Sequence, residues 1–244
     1  MAGALAQGRR EEAGRVVSAG LLLAAGLGVA GTALLLALAE PIATAMGTSE
    51  ELWQPTLAYL RVRAWAAPAV LLVTVGNGAF RGYGDTRTPL VLVLALNVVN
   101  LVLDPILIFG AGFGIAGAAM ATVVAQWAGA LGFLVALARG PVALRVPSGA
   151  DLRHLLGVGS VLSIRTFALV FTMTVATSLA TRLGKVPIAA HQVAWQLWLM
   201  FALVVDAFAL AGQSLIAEHL GAGRPGVARE IGDRLLVWRS LIHI

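Results

Sequence analysis

Three polar side chains interrupt one long apolar run of this chain: Asn97, Asn100 and Asp104. They are spaced i, i+3, i+7, which places them within about 60° of one another on a single helix face. The run, Pro89 to Phe109, has about 21 mostly apolar residues, enough to cross a bilayer. A carboxylate inside such a span costs about 2.5 to 3.5 kcal/mol on insertion scales, so Asp104 is expected to face protein or water rather than lipid. Pro105 follows it and lacks the N–H that would hold the Leu101 carbonyl, leaving that oxygen free beside the acid. Two amides, a carboxylate and a free carbonyl on one face of a kinked helix make a proton or small-cation site. The competing reading is plainer: Asn often bonds neighbouring helices, and Asp-Pro often bends one.

A second intramembrane acid, Asp206, lies in LVVDAFALAGQ and shares a face with Gln213 at i+7. His191, Gln192 and Gln196 come before it on the same apolar stretch, beside Trp195 and Trp198. Such a polar and aromatic surface suits an organic cation, through hydrogen bonds and cation-π contact, and suits helix packing or interfacial anchoring equally. Asp206, Gln192, Gln196 and Gln213 are therefore candidates for a substrate path. Arg81, Asp85 and Arg87 sit in a turn-forming RGYGDTRTP, where fixing the turn is the simpler role.

Enzymatic chemistry finds no support. The Gly-rich GAGFGIAG follows one apolar run and precedes another, without the strand or the lysine of a nucleotide loop. The four histidines lack zinc spacing, and the chain has no cysteine. Ser160 and Ser163 share with His154 only one end of a helix, not a nucleophile–base geometry. No cofactor is expected beyond a coupling ion, H⁺ or Na⁺.

The elements that must hold these residues follow from composition. Of 244 residues 59% are hydrophobic and 12% charged, and the mean hydropathy is +0.88. The expected fold class is all-α, a polytopic membrane helical bundle with the lipid bilayer as its surroundings. Net charge is +5, yet the basic residues stand singly or in pairs between apolar runs, so no nucleic-acid partner is implied. Six spans are expected: Val16–Leu38, about Leu57–Phe80 with a kink at Pro68, Pro89–Phe109, Ile115–Leu137, about Ser160–Leu183, and Pro187 to about Ile216. ARGPVALRVPSGADLRH, the longest polar stretch, is the expected linker. With the N-terminus cytoplasmic, thirteen basic residues fall on that side, against Arg61, Arg63, Arg182 and Lys185 on the other.

The chain also matches itself weakly. At an offset of 215 residues, Leu5, Gly8, Arg9 and Ala13 align with Leu220, Gly223, Arg224 and Ala228, with six spans between the copies. An even number of crossings returns the second copy to the same face, as two parallel six-helix halves require.

Taken together, RGYGDTRTPLVLVLALNVVNLVLDPILIFGAGFGIAGAAMATVVAQ, the preceding AYLRVRAWAAPAV and the later AAHQVAWQLWLMFALVVDAFALAGQSLIAEHLGAG resemble the multidrug and toxic compound extrusion family, in its DNA-damage-inducible branch. The resemblance covers nearly the whole chain. It implies a cation-coupled antiporter exporting small organic, often cationic compounds from the cell membrane, built of twelve helices in two bundles. It also implies a fragment lacking the first helix and the end of the C-terminal bundle. Residues 1–139 would supply the end of helix two and helices three to six, 140–154 a cytoplasmic linker, and 155–244 helices seven, eight and the start of nine. The family's cation site joins an acid on helix one to an Asn-x-x-x-Asp pair and a Thr, which match Asn100, Asp104 and Thr122 here. Those three are accordingly the expected Na⁺ or proton ligands, with Asn97 beside them. Two alternatives stay open: a lipid-linked precursor flippase of the same superfamily, and a structural or pore-forming membrane subunit.

Overall fold

The computed structural model describes residues 10–140 and 144–242, and among these residues all regular structure is helical. In order the helices are α1 (Arg10–Ala45), α2 (Glu50–Ala64), α3 (Ala67–Gly82), α4 (Arg87–Pro105), a π-helical turn (Ile106–Gly110), α5 (Gly114–Arg139), α6 (Gly149–Leu183), α7 (Lys185–Gly221) and α8 (Pro225–Ile242). Among the described residues five helices are long and apolar enough to span a membrane, and α2 with α3, bent by 46° at their junction, make a sixth if counted as one span. The expected all-helical membrane bundle is what the chain forms.

Two boundaries differ from expectation. The helix of the first span does not stop near Leu38: α1 runs on to Ala45 with Pro41 inside it. Beyond the proline the helix is pinned by the Thr44 hydroxyl donating to the Glu40 carbonyl at 3.0 Å and by the Arg61–Glu40 ion pair at 2.8 Å. The end of the expected linker, residues 149–154, is already helical. Ser148 and Asp151 cap that start reciprocally: the Ser148 N–H and hydroxyl each donate to the Asp151 carboxylate at 2.8 Å, and the Asp151 N–H donates back to Ser148 Oγ at 3.2 Å. Arg15 adds a long ion pair to the same carboxylate at 3.8 Å.

The chain divides into two compact units. The larger holds Gly14–Arg81 and Asp85–Ser163. Its core is built from small residues, with Ala24, Ala69, Leu72 and Ala130 clustered and buried. Small residues let helices approach closely, which replaces the water-driven packing that lipid cannot supply. Two glycines are required by this closeness. A Cβ at Gly28 would lie 2.4 Å from Pro68 Cα, and one at Gly76 would lie 2.7 Å from the buried Phe133 ring.

The bend between α2 and α3 has an identifiable cause and its polar groups are satisfied. Pro68 has no N–H for the Ala64 carbonyl, so the ladder opens there. The hydroxyl of Thr32, itself 6% exposed, donates to that carbonyl at 2.9 Å, and the Trp127 indole N–H donates to the Trp65 carbonyl at 3.0 Å. Side chains from α1 and α5 thus replace the missing backbone donors, as an interrupted helix in lipid demands.

Antiparallel packing of α4 on α5 positions the polar residues. Leu92 lies against Gly132, Leu96 against Gly129, and the Leu107 carbonyl against Gly117. Leu92, Leu96, Asn100, Asp104 and Leu107 therefore form one stripe, spaced by three or four, that faces α5. Gly112 and Gly114, with φ of 72° and 56°, make the reversal between the two helices.

The other unit holds Ile164–Ile244 with Met1–Ala13 and Gly82–Gly84. In it α7 packs on α8, with Gly212 seated against Leu235. Of the self-matching pairs, Leu5, Gly8 and Arg9 lie outside the described residues; Ala13 and Ala228 are both buried, at 0% and 4% exposure.

Candidate functional site

Asn100 and Asp104 are brought together. Both are half-buried, and the Asn100 amide donates to Asp104 Oδ1 at 3.5 Å, a long bond that leaves most of the carboxylate's capacity unused. Their helix changes character immediately afterwards. Pro105 ends α4, the Ile106 N–H reaches back to the Leu103 carbonyl, and the Ala111 N–H bonds the Ile106 carbonyl at 2.8 Å across a π turn. Single π turns inside α-helices are frequent at functional sites. The Leu101 carbonyl stands opposite the proline nitrogen, which has no N–H to give it.

Thr122 stands on α5. The register of the α4–α5 pair puts it level with Val102, between Asn100 and Asp104 along the axis. Its hydroxyl proton goes to the Ala118 carbonyl at 2.9 Å, so the oxygen offers lone pairs only, which is what a cation or a protonated carboxyl requires. Asn97 behaves differently. It is exposed, and its amide donates one N–H to the Val93 carbonyl of its own helix at 2.7 Å. Among the described residues no three His, Asp or Glu side chains gather as transition-metal ligands would. The group here is one half-buried carboxylate with an amide beside it.

In the second unit, the expected substrate-path residues share one helix. Gln192, Gln196, Asp206 and Gln213 are all exposed on α7, which is unbroken from Lys185 to Gly221. At 100° per residue the four fall within about 100° of one another on one face of the helix, with Leu199, Leu203 and Leu210 between them. Trp195 and Trp198 stack with ring centroids 5.0 Å apart beside its upper end.

One pair was not foreseen. Thr177 Oγ1 and His191 Nε2 lie 3.0 Å apart across the α6–α7 hairpin. The Thr177 hydroxyl gives its single proton to the Met173 carbonyl at 2.9 Å, so it must accept from His191, and Nε2 carries the hydrogen. His191 was visible as an isolated polar residue in the sequence. Thr177 was not, because thirteen intervening residues and a turn at Gly184, with φ of 114°, separate the partners.

Comparison with known proteins gives concordant results. The MatE family model matches residues 1–106 and 161–244. Protein DETOXIFICATION 44, chloroplastic, of Arabidopsis thaliana is 41% identical over 220 residues, which cover 88% of this chain and 42% of that protein. DNA damage-inducible protein F of Escherichia coli (strain K12) is 32% identical over 232 residues, 90% of this chain and 48% of that protein. A crystal structure of MATE in complex with MaL6 superposes with a TM-score of 0.86 at 26% identity, covering 99% of this chain and 55% of the other. The chain thus spans about half the length of the relatives it matches, or less.

Proposed function

Because this chain belongs to the multidrug and toxic compound extrusion family, we propose that it supplies the ion-coupling half of an antiporter that exports small organic compounds in exchange for H⁺ or Na⁺. The observation that carries this reading is the Asn100–Asp104 pair, half-buried, one turn apart, directly before a π turn and level with the lone-pair-only oxygen of Thr122. Asp104 holds the ion, Asn100 orients its carboxylate, and Thr122 with the Leu101 carbonyl completes the oxygen set. The face of α7 that carries Gln192, Gln196, Asp206 and Gln213 serves as the substrate surface, where hydrogen bonds and the Trp pair accept an organic cation.

In this reading residues 1–139 belong to one bundle, 140–154 connect, and 155–244 begin the second, in a cell membrane with residue 1 on the cytoplasmic side. Loading Asp104 with a proton or Na⁺ removes a bare charge from the apolar span, and unloading restores it. A conformational equilibrium between two access states is thereby biased by ion occupancy.

The test is Asp104→Asn in the gene-encoded protein, measured as efflux from vesicles under an imposed proton or sodium gradient. The variant keeps size and hydrogen bonding but cannot titrate, so gradient-driven efflux is expected to vanish while membrane insertion is unchanged. Asn97→Ala serves as control and retains efflux, since its amide is engaged with Val93. Wild-type coupled efflux in Asp104→Asn would leave the acid as helix glue and defeat the proposal.

A further inference from the structure

Arg63 takes no part in the coupling site. It is half-buried near the end of α2 and, among the described residues, has neither an ion-pair nor a hydrogen-bond partner, while its neighbour Arg61 is paired with Glu40. Arg63 borders a groove of about 460 Å³ between α1 and the α2–α3 pair, whose other walls are aliphatic. At its deep end stand Leu27 and Leu71, at its other end Ile42 and Leu60, and Gly31 forms part of the floor. From Leu27 to Ile42 the groove follows α1 for about 22 Å.

Depth fixes what this geometry meets. The mostly apolar stretch from Ala64 to Phe80 is about 25 Å long as helix, close to the roughly 30 Å hydrocarbon thickness. Arg63 then lies at the boundary, at the level of lipid phosphates. A guanidinium without a described partner at headgroup depth, with an aliphatic channel running about 12 Å from Arg63 to Leu71, is complementary to an anionic headgroup joined to the upper part of an acyl chain.

We infer that this groove binds one membrane phospholipid, its phosphate on Arg63 and one acyl chain along α1 past Gly31. The glycines of α1 divide accordingly. Gly28 is closed by Pro68, whereas a Cβ at Gly31 would meet nothing within 4 Å, so its space is open to a ligand. The inference is independent of the coupling ion and of Asp104.

The probe is phosphatidylglycerol against phosphatidylcholine, equimolar in mixed micelles with the purified full chain, and retained lipid is counted by native mass spectrometry. Wild type is expected to hold one phosphatidylglycerol in preference to phosphatidylcholine. Arg63→Gln should erase that preference and Arg63→Lys keep most of it. Gly31→Leu should cut retention of both lipids about threefold to tenfold by filling the channel, while Gly26→Leu, on the same helix with open space around it but outside the groove, should not. Helical circular dichroism of all four confirms the fold. Retention unchanged in Arg63→Gln and Gly31→Leu, equal loss in Gly26→Leu, or a dimer mass that Gly31→Leu dissociates, would overturn the assignment.

Discussion

At the scale of single residues, the polar side chains of this protein separate by what their own helix lets them do. Asn97 and Thr122 each spend a proton on a carbonyl one turn back, but helix register places Thr122 between Asn100 and Asp104 along the axis. Asp85 shows the same economy at a helix start. Its carboxylate accepts the Arg87 and Thr88 N–H groups of α4 at 2.9 and 3.0 Å, and hydrogen bonds from Thr88, side chain first and backbone next, hold its pKa below the ordinary value. A carboxylate depressed in the folded state binds fewer protons there than when unfolded, at about pKa 3.9. Its contribution is complete above that value and disappears as pH falls through the folded pKa. Asp85→Ala is therefore expected to cost about 1 kcal/mol at pH 7 and progressively less as the pH falls toward 2. Thermal unfolding in detergent across this range checks it; an equal loss at both ends would show that the cap is not ionic.

At the scale of elements, the α2–α3 bend depends on borrowed donors. Thr32→Val keeps the buried shape but strips the Ala64 carbonyl of its only described partner, at an expected cost of about 1–3 kcal/mol. Pro68→Ala supplies a backbone N–H to that carbonyl, so in its background the Thr32→Val penalty should shrink. A double-mutant cycle on thermal stability measures the coupling. Additive penalties would mean that the hydroxyl matters for packing, not for the broken ladder. Gly28 belongs to the same device, since only glycine allows α1 to touch Pro68.

At the scale of the whole molecule, the uneven spread of basic residues sets an expected orientation. Arg81→Cys, Arg145→Cys and Arg224→Cys, made singly in a chain that has no cysteine of its own, should resist an impermeant thiol reagent applied to intact cells and label once the membrane is opened. Strong labelling of any one from outside would reverse or break the topology.

The sequence by itself determined the class, the spans and the pairing of Asn100 with Asp104, because hydropathy and helical period act within one helix and need no partner. It placed the kink near Pro68 for the same reason, since a missing N–H is a covalent fact. It misjudged the end of α1 and the start of α6, where a salt bridge from Arg61 and a reciprocal Ser148–Asp151 cap extend helices past a proline and a polar connector. Only tertiary structure decided what lies together across helices: Thr32 and Trp127 with the carbonyls of the bend, Thr177 with His191, Thr122 at the level of Val102, and the open floor at Gly31 against the closed contact at Gly28. The physical reason is that interhelical register is set where small residues allow backbones to touch, and one helix's sequence does not carry the shape of its neighbour.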